Sequence, residues 1–345
     1  KDNWSITVEG SFSKNINEIY YRRLDINPPV AQLSGPDNRY IYDLKRIGYP
    51  AGSGITAGSN PYTGVFLLEN QPYYRRSGFA YNFTASIDKS WTDGFSFNAF
   101  YTYGASFVTH EPTSSQNNSQ WRFMETVNGR NDVQRSRSDF DLGHRVSAFI
   151  AKKFTYAKGA LASTISLVYN GQSGNPFSYV YATGPVRDQG TSESNDLIFI
   201  PTADQIKAMT FVTNSSFPLS PAQQAAALEN YIAQDNYLSK NRGKYAERNG
   251  ARLPFTNIID VKFVQDFNVK IYNKKYQFQL TYDVFNFTNM LNRNWGRTYF
   301  MSNDQTSLIK YQGATGSTVP SYSFAPVANN TPWGISSSTA PSYSA

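Results

Sequence analysis

The residues with the clearest chemical potential in this chain are arginines and tryptophans in polar stretches that separate long alternating segments. Guanidinium groups bind carboxylates and phosphates through paired hydrogen bonds, so these residues could hold an anionic or sugar-bearing ligand. The alternative is that the arginines pair with carboxylates of their own loops or with phosphates of surface polysaccharides. The candidate ligand-binding residues are Trp121, Arg135, Arg137, Arg242, Arg248, Arg252, Trp295 and Arg297.

Little in the chain suggests catalysis or metal binding. It contains no cysteine, and its two histidines, His110 and His144, are too few for a zinc site. Asp139 and Asp141 are close to His144 in sequence, yet no serine or cysteine nucleophile stands in a catalytic motif. We therefore expect a non-enzymatic protein without metal or cofactor, in which His144 is a hydrogen-bonded residue at the entry of a strand.

The elements that must position these residues are long segments with period-two alternation. From 79 to 87 every second residue is apolar or aromatic, and the residues between them are small or polar. The pattern returns from 95 to 105 after Thr92-Asp93-Gly94, and an Asp-Gly pair between two such runs is a strong hairpin signal. Because side chains alternate between the two faces of a strand, this hairpin has one apolar face and one polar face.

Two environments fit such a hairpin, namely a soluble sandwich and an outer-membrane barrel whose apolar face touches lipid. Each arm keeps its pattern for roughly ten residues, which suits a tilted membrane strand better than the usual 5 to 6 residues of soluble strands. The apolar sets at 79–87, 95–105, 161–169 and 276–284 contain no Asp, Glu, Lys or Arg. These features favour the barrel.

The composition agrees with a barrel and excludes other classes. Aromatic residues make up 16% of the chain and charged residues only 17%, below the roughly 25% charged residues of typical soluble domains. No apolar run approaches the roughly 18 residues of a membrane-spanning helix. The net charge of +7 is scattered over loops and turns, so we expect no nucleic-acid partner.

The connections between the strands differ in length at the two ends. Short turns at one end and long loops at the other are typical of bacterial outer-membrane barrels. One long loop is predicted to contain a helix, because Ser220-Pro221-Ala222-Gln223 reads as an N-cap followed by proline at the first helical position. The predicted arms begin near residues 4, 79, 95, 145, 160, 258 and 276, and the long connections cover about 25–63, 108–139, 182–256 and 292 onward.

Seven arms do not close a barrel. An open sheet in lipid leaves unpaired N–H and C=O groups, each of which costs several kcal/mol. The chain enters a strand pattern soon after Lys1 with neither an initiator methionine nor a signal peptide, and the stretch from Ser302 to Ala345 has no aromatic-rich closing strand. We therefore expect an internal fragment of a longer secreted polypeptide, with further strands before Lys1 and after Ala345.

Five segments in order along the chain resemble one family. They are SDFDLGHR at 138–145, SGNPFSY at 173–179, NDLIFIP at 195–201, LSKNRGKYAERNG at 238–250 and DVFNFTNMLN at 283–292. In these segments the chain resembles the Oar-like TonB-dependent receptors, which are large outer-membrane barrels related to the SusC-type transporters. The plug domain and the TonB-recruiting segment of that family have no counterpart in residues 1–345.

The resemblance implies a fold and a function. It implies an all-β, transmembrane antiparallel β-barrel with long extracellular loops, of which residues 1–345 form a C-terminal part of roughly 22 strands. It implies import of a peptide, glycan or similar nutrient through a Gram-negative outer membrane, driven by TonB acting on the missing N-terminal part. Outer-membrane lipid, a surface lipoprotein and a larger outer-membrane complex are the partners it suggests.

Two alternatives remain open at this point. The first is a barrel that does not pump and serves as an accessory or scaffold in a secretion or assembly complex. The second is a soluble β-rich carbohydrate-binding module. A module of that kind would pack Phe83, Phe97 and Leu280 against a second sheet, whereas a membrane barrel would leave these side chains on its outer surface.

Overall fold

The computed structural model describes residues 4–42, 65–71, 77–111, 114–188, 195–272, 274–315, 318–326 and 331–336. The predicted loop residues 43–63, the Tyr73-Tyr74 pair and the chain end after 336 lie outside the described residues. The strands are β1 Trp4–Lys14, β2 Glu18–Arg23, β3 Pro29–Gln32, β4 Tyr40–Tyr42, β5 Phe66–Gln71, β6 Phe79–Ser90, β7 Phe95–Val108, β8 Ser136–Arg137, β9 Gly143–Tyr156, β10 Leu161–Gln172, β11 Pro176–Thr183, β12 Phe199–Ile200, β13 Thr210–Phe211, β14 Lys244–Tyr245, β15 Ala251–Arg252, β16 Thr256–Ile271, β17 Lys274–Val284, β18 Thr298–Phe300, β19 Gln305–Thr315, β20 Val319–Ser323 and β21 Gly334–Ser336. The helices are α1 Asn117–Arg122, α2 Ala203–Ala208, α3 Pro221–Gln234 and α4 Phe287–Leu291, with 3-10 turns at Ala157–Gly159, Leu238–Lys240 and Ser302–Asp304.

The main sheet is an antiparallel meander, which we call the long sheet. Its order is β1-β6-β7-β9-β10-β16-β17, and the short strand β8 pairs with the end of β7. Within the described part of the chain, these seven long strands correspond to the seven arms predicted from the sequence. Gly94, in the turn between β6 and β7, has a φ of +88°, and a Cβ there would lie 2.6 Å from the Lys153 carbonyl oxygen. The glycine of the predicted Asp-Gly turn is therefore required both by backbone conformation and by space.

The register of the long sheet places all the alternating apolar sets on one face. Phe83 lies opposite Tyr103, and Leu167 lies between Ile150 and Val261 on the neighbouring strands. We call this side the apolar face; it carries every second residue starting from Trp4, Phe79, Phe95, His144, Leu161, Asn257 and Lys274 on the successive strands.

Large side chains of the apolar face are open to the surroundings. Phe83 is 48% exposed and Leu280 is 62% exposed, and Phe97 is half-buried. A soluble sandwich would bury these side chains in its core, so their exposure contradicts the sandwich alternative. No helix in the described part of the chain is both long and apolar enough to cross a bilayer.

The opposite side of the long sheet, the polar face, is held together by hydrogen bonds and ion pairs between strands. The Thr84 and Thr102 hydroxyls are 2.9 Å apart, and Gln279 Nε2 donates to Asp266 Oδ1 at 2.8 Å. The ammonium group of Lys153 lies 3.6 Å from the Asp266 carboxylate. Charged and amide groups at this density require water or polar protein beside them, because buried polar groups without partners are costly.

The long connections do not form open loops but fold into a second body with its own core. We call residues 176–253 and 305–324, as far as they are described, the cap. Its five-stranded sheet has the order β13-β20-β19-β11-β15, with a parallel pairing of β11 and β19. Its buried core includes Phe177, Tyr179, Ile198, Ile200, Leu228, Tyr231, Ile232, Ile309 and Phe324. The prediction that these stretches are loops is therefore wrong for the cap.

The helix predicted in this region is confirmed as α3. The Ser220 hydroxyl accepts from the Gln223 backbone N–H at 3.3 Å, and Gln223 Oε1 accepts from the Ser220 backbone N–H at 2.9 Å. Pro221 occupies the first turn, where its missing N–H carries no cost. Leu228, Tyr231 and Ile232 then point into the cap core at helical spacing.

A substitution pair can test which face meets hydrocarbon. Leu167→Arg places a charge in the middle of the apolar face, where a membrane strand loses about 2–4 kcal/mol of folding free energy. We expect this loss in the free energy of unfolding measured by urea denaturation in lipid vesicles.

The matched control is Thr164→Arg on the polar face of the same strand, for which we expect little change. Equal losses for both variants would contradict the assignment of the two faces.

Candidate functional site

The cap is joined to the long sheet by the segment that contains β14 and β15. The Arg248 guanidinium is 3% exposed and donates to Ser136 Oγ at 2.6 Å and to the Val108 carbonyl at 2.9 Å. Asn249 donates from its backbone N–H to Ser178 Oγ at 2.9 Å and from its amide to Asp139 Oδ1 at 2.6 Å. Burial lowers the pKa of Arg248, with nearby carboxylates acting in the opposite direction.

Asp141 is the centre of this joint. Its buried carboxylate accepts from the Ser106 backbone N–H at 2.6 Å and from Arg137 Nη1 at 2.9 Å, and it also pairs with Arg252. Arg252 continues to the Gly174 carbonyl at 2.9 Å. One carboxylate thus connects the end of β7, the entry of β9, the start of β11 and the cap strand β15.

Four of the five segments that carry the family resemblance meet at this joint or beside it. The segment 138–145 supplies Asp139 and Asp141, and 238–250 supplies the arginine and asparagine described above. In 173–179, Ser173 Oγ accepts from the His144 backbone N–H at 2.9 Å. In 195–201, the Ile198 carbonyl accepts from the Ala246 backbone N–H at 2.8 Å.

His144 is hydrogen-bonded at the entry of β9, as predicted. Its Nδ1 lies 2.7 Å from the Tyr101 hydroxyl, and its ring lies 4.7 Å from the Tyr103 ring centre. These contacts place it on the apolar face at the end of the long sheet that bears the cap.

Most of the predicted ligand-binding residues have partners within the protein. Trp121 is fully buried, its indole N–H donates to Asn131 Oδ1 at 2.8 Å, and its ring lies between the Arg23 and Arg130 guanidinium groups. Arg242 makes a two-pronged contact with Glu229, at 2.7 and 3.0 Å. A ligand contact from these side chains stays a prediction.

Trp295 and Arg297 are placed together in a small cleft. The cleft has a volume of about 250 Å³ and is also lined by Phe255, Asn257 and Tyr299. Trp295 is 54% exposed, whereas Arg297 donates to the Arg293 carbonyl at 3.1 Å. Of the predicted residues, these two are the pair that the structure brings into one opening.

A larger cavity, which the sequence did not indicate, lies between the cap and residues 34–37, and we call it the cap cavity. It has a volume of about 480 Å³ and an apolar lining with a few polar groups. None of the eight predicted residues is among the described residues that line it. Its walls are formed by Ser34, Gly35, Pro36, Asp37, Tyr181, Phe199, Pro201, Asp204, Gln205, Ala208, Met209, Thr210, Val319, Pro320 and Tyr322.

The polar end of the cap cavity is fixed by a buried network. Asp37 accepts from the Tyr181 hydroxyl at 2.7 Å and from Arg39 Nε at 2.7 Å. The Arg39 guanidinium lies between the rings of Tyr181 and Tyr245, at 5.0 and 5.1 Å from their centres. Burial raises the pKa of Tyr181, so this hydroxyl is a hydrogen-bond donor at neutral pH. The two hydrogen bonds of Asp37 position Tyr181 and Arg39 at this wall of the cavity.

The role of Asp141 can be tested by Asp141→Asn. The change leaves Arg137 and Arg252 without their carboxylate, and we expect the joint to lose about 2 kcal/mol, a buried-pair cost reduced for the partial exposure of both arginines. Hydrogen exchange of the backbone amides in 249–253 measures this loss.

Asp204→Asn is the control, because its ion pair with Lys207 is fully exposed. Unchanged exchange in the Asp141→Asn variant would show that the joint does not depend on this carboxylate.

A second carboxylate predicts a pH effect on the cap. Burial raises the pKa of Asp196 to about 6, and nearby arginines act in the opposite direction. An unfolded aspartate titrates near 4, so the stabilisation from this group is complete below about pH 4 and is lost as the pH rises through 6. Relative to Asp196→Asn, we expect the unfolding free energy of the cap to fall by about 2 kcal/mol between pH 4 and 7.

Hydrogen exchange in 195–201 at pH 4, 5, 6 and 7 checks this difference between wild type and variant. A difference that stays constant with pH would contradict a raised pKa.

Comparison with known proteins places the chain in a family. No curated protein and no solved structure matches this chain. A family model described as outer membrane beta barrel domain matches residues 2–318. This match covers the long sheet and nearly all of the described cap, and it agrees with the exposed apolar face. The chain therefore belongs to the outer membrane β-barrel domain family and is a protein of the Gram-negative outer membrane.

Proposed function

We propose that this chain forms part of the wall of a TonB-dependent outer-membrane transporter and that the cap recognises the substrate. The observation that carries the proposal is a folded cap with a cavity of about 480 Å³ at the long-connection end of a membrane sheet. In outer-membrane barrels the long connections face the outside. The cavity is thus placed where a nutrient would first meet the protein.

The polar face of the long sheet supports a transport role. It carries ion pairs such as Lys262 with Asp283, 3.4 Å apart, and Lys153 with Asp266. The interior of the barrel is therefore suited to water or to a polar plug, as in the large plugged transporters. By the family resemblance, roughly 22 strands and a plug belong to this proposal.

The cap cavity favours a substrate that has both an apolar surface and hydrogen-bonding groups. Phe199, Met209 and Pro320 offer apolar contacts, and Gln205 and Thr210 offer hydrogen bonds. Short peptides and glycans combine these properties, because each presents apolar surface beside amide or hydroxyl groups. Sites of this kind are apolar with a small number of placed polar groups.

The energy source and partners follow from the family resemblance. TonB would act on a plug of the kind found in the resembled family, and a surface lipoprotein or a larger outer-membrane complex would share the extracellular side. We propose no enzymatic activity for this chain.

Uptake by intact cells tests the proposal. Cells that carry the full-length gene in place of the deleted one receive either a pool of fluorescent short peptides or a pool of fluorescent oligosaccharides. We expect one pool to enter the periplasm and a protonophore to stop its entry. Ala208→Trp fills the cavity and is expected to lower this uptake about tenfold, a loss of roughly 1.4 kcal/mol of substrate binding.

Ala222→Trp is the matched control, since Ala222 is exposed on α3 and does not line the cavity. We expect normal uptake in this variant. Entry of neither pool, with normal surface expression, would contradict transport and favour the non-pumping scaffold.

A further inference from the structure

We propose that the apolar face carries, at its cap end, a binding site for the phosphate groups of a phosphorylated glycolipid in the outer leaflet. The site consists of Lys14, Phe79, Phe107, Arg135 and Arg137, which we call the cation row. It is separate from the cap cavity and does not depend on what the protein transports.

The cation row crosses neighbouring strands at a single level. Lys14 lies opposite Phe79, Phe79 lies opposite Phe107, and Phe107 lies opposite Arg137. Arg135 is two residues from Arg137, and its guanidinium lies 5.2 Å from the Phe79 ring centre. The two rings stack with their centres 4.8 Å apart, so basic groups on both sides share one aromatic platform.

The basic groups of the row are brought together more closely than like charges prefer. Lys14 Nζ lies 3.4 Å and Arg135 Nη1 lies 3.5 Å from the same Ser77 carbonyl oxygen. Neither side chain forms an ion pair with any carboxylate in the described ranges. Both are exposed, so a further acceptor can reach them. An anion between them would turn this repulsion into attraction.

Two carboxylates beside the row, those of Asp141 and Glu18, form hydrogen bonds with other groups, and only Glu18 Oε2 has no hydrogen-bond partner among the described residues. Asp141 is fully buried and divided between Arg137 and Arg252. Glu18 accepts from the Gly78 backbone N–H at 2.6 Å and from Asn15 at 3.0 Å, so its Oε1 turns toward the backbone. The row therefore keeps an excess of positive charge toward the membrane.

The height of the row matches the edge of the hydrocarbon layer. On β1 the apolar face has no charged residue between Lys14 and Trp4, the latter lying opposite Lys89. Lys14 and Trp4 are ten residues apart. With a rise of roughly 3.4 Å per residue and a strand tilt of about 40°, the apolar band between them is roughly 26 Å tall. Outer-membrane barrels have an apolar band of about 25 Å. Lys89 lies over the Trp4 and Trp91 rings at the other edge, so the cation row lies at the outer one.

These positions select the ligand. At the outer edge, an anion that contacts Lys14 and Arg135 must belong to a molecule whose apolar chains lie against Phe12, Tyr81 and Phe83 below. A phosphorylated glycolipid has this arrangement, with acyl chains beneath a phosphate-bearing sugar. The arginine guanidinium can donate two hydrogen bonds to a phosphate at once, and the lysine ammonium adds a compact positive charge beside it.

Competition binding to the purified full chain in detergent tests the site. Native mass spectrometry compares bis-phosphorylated lipid A with the same lipid A after enzymatic removal of its phosphates. We expect wild type to prefer the phosphorylated form, a comparison that needs no variant. In the double variant Lys14→Gln and Arg135→Gln we expect this preference to fall about 30-fold, because two surface cations are lost.

The matched control is Lys152→Gln with Lys274→Gln, which removes two cations from the same face at the opposite end. We expect this variant to keep the wild-type preference. Equal binding of both lipids by wild type, or an equal loss in both double variants, would overturn the proposal. Displacement of the lipid by millimolar inorganic phosphate would also overturn it, because the site would then recognise free phosphate.

Discussion

The constraint on which the rest of the structure depends is that hydrocarbon offers no partner for a backbone N–H or C=O group. Each strand of the long sheet must therefore form its hydrogen bonds with its neighbours over its whole length. The strands are long and regular for this reason; β16, for example, continues without interruption from Thr256 to Ile271. Side chains are then left to satisfy two different surroundings on the two faces. The period-two pattern is the direct result.

The cap follows different rules because it has a buried core of its own. Its stability comes from a hydrophobic core around Ile198, Leu228 and Phe324, as in any soluble domain. Buried polar groups connect the two bodies, with Asp141 and Arg248 at the centre. Polar contacts of this kind depend on geometry, and they fix the orientation of the cap more than they add stability.

The sequence predicted the long sheet well and the cap poorly, for physical reasons. Alternation is a local pattern, so the strand arms, the Asp-Gly turn and the capped helix α3 could be found from neighbouring residues alone. The cap sheet joins β11 to β19 across more than a hundred residues, and neither strand has one buried face and one exposed face. Such strands show no alternation. The arginines were conspicuous by type, but Arg242 and Arg252 reach carboxylates far away in sequence that no spacing reveals.

The parallel pairing of β11 with β19 has a consequence for biogenesis. Between Ser178 and its partner Gln305 the chain passes down and back through the bilayer as the hairpin of β16 and β17. The sheet of the cap can therefore be completed only after β16 and β17, which lie between its two strands in the chain, have been made. Folding of the cap therefore depends on formation of the hairpin of β16 and β17. If this hairpin did not form, the cap sheet would lack the pairing of β11 with β19.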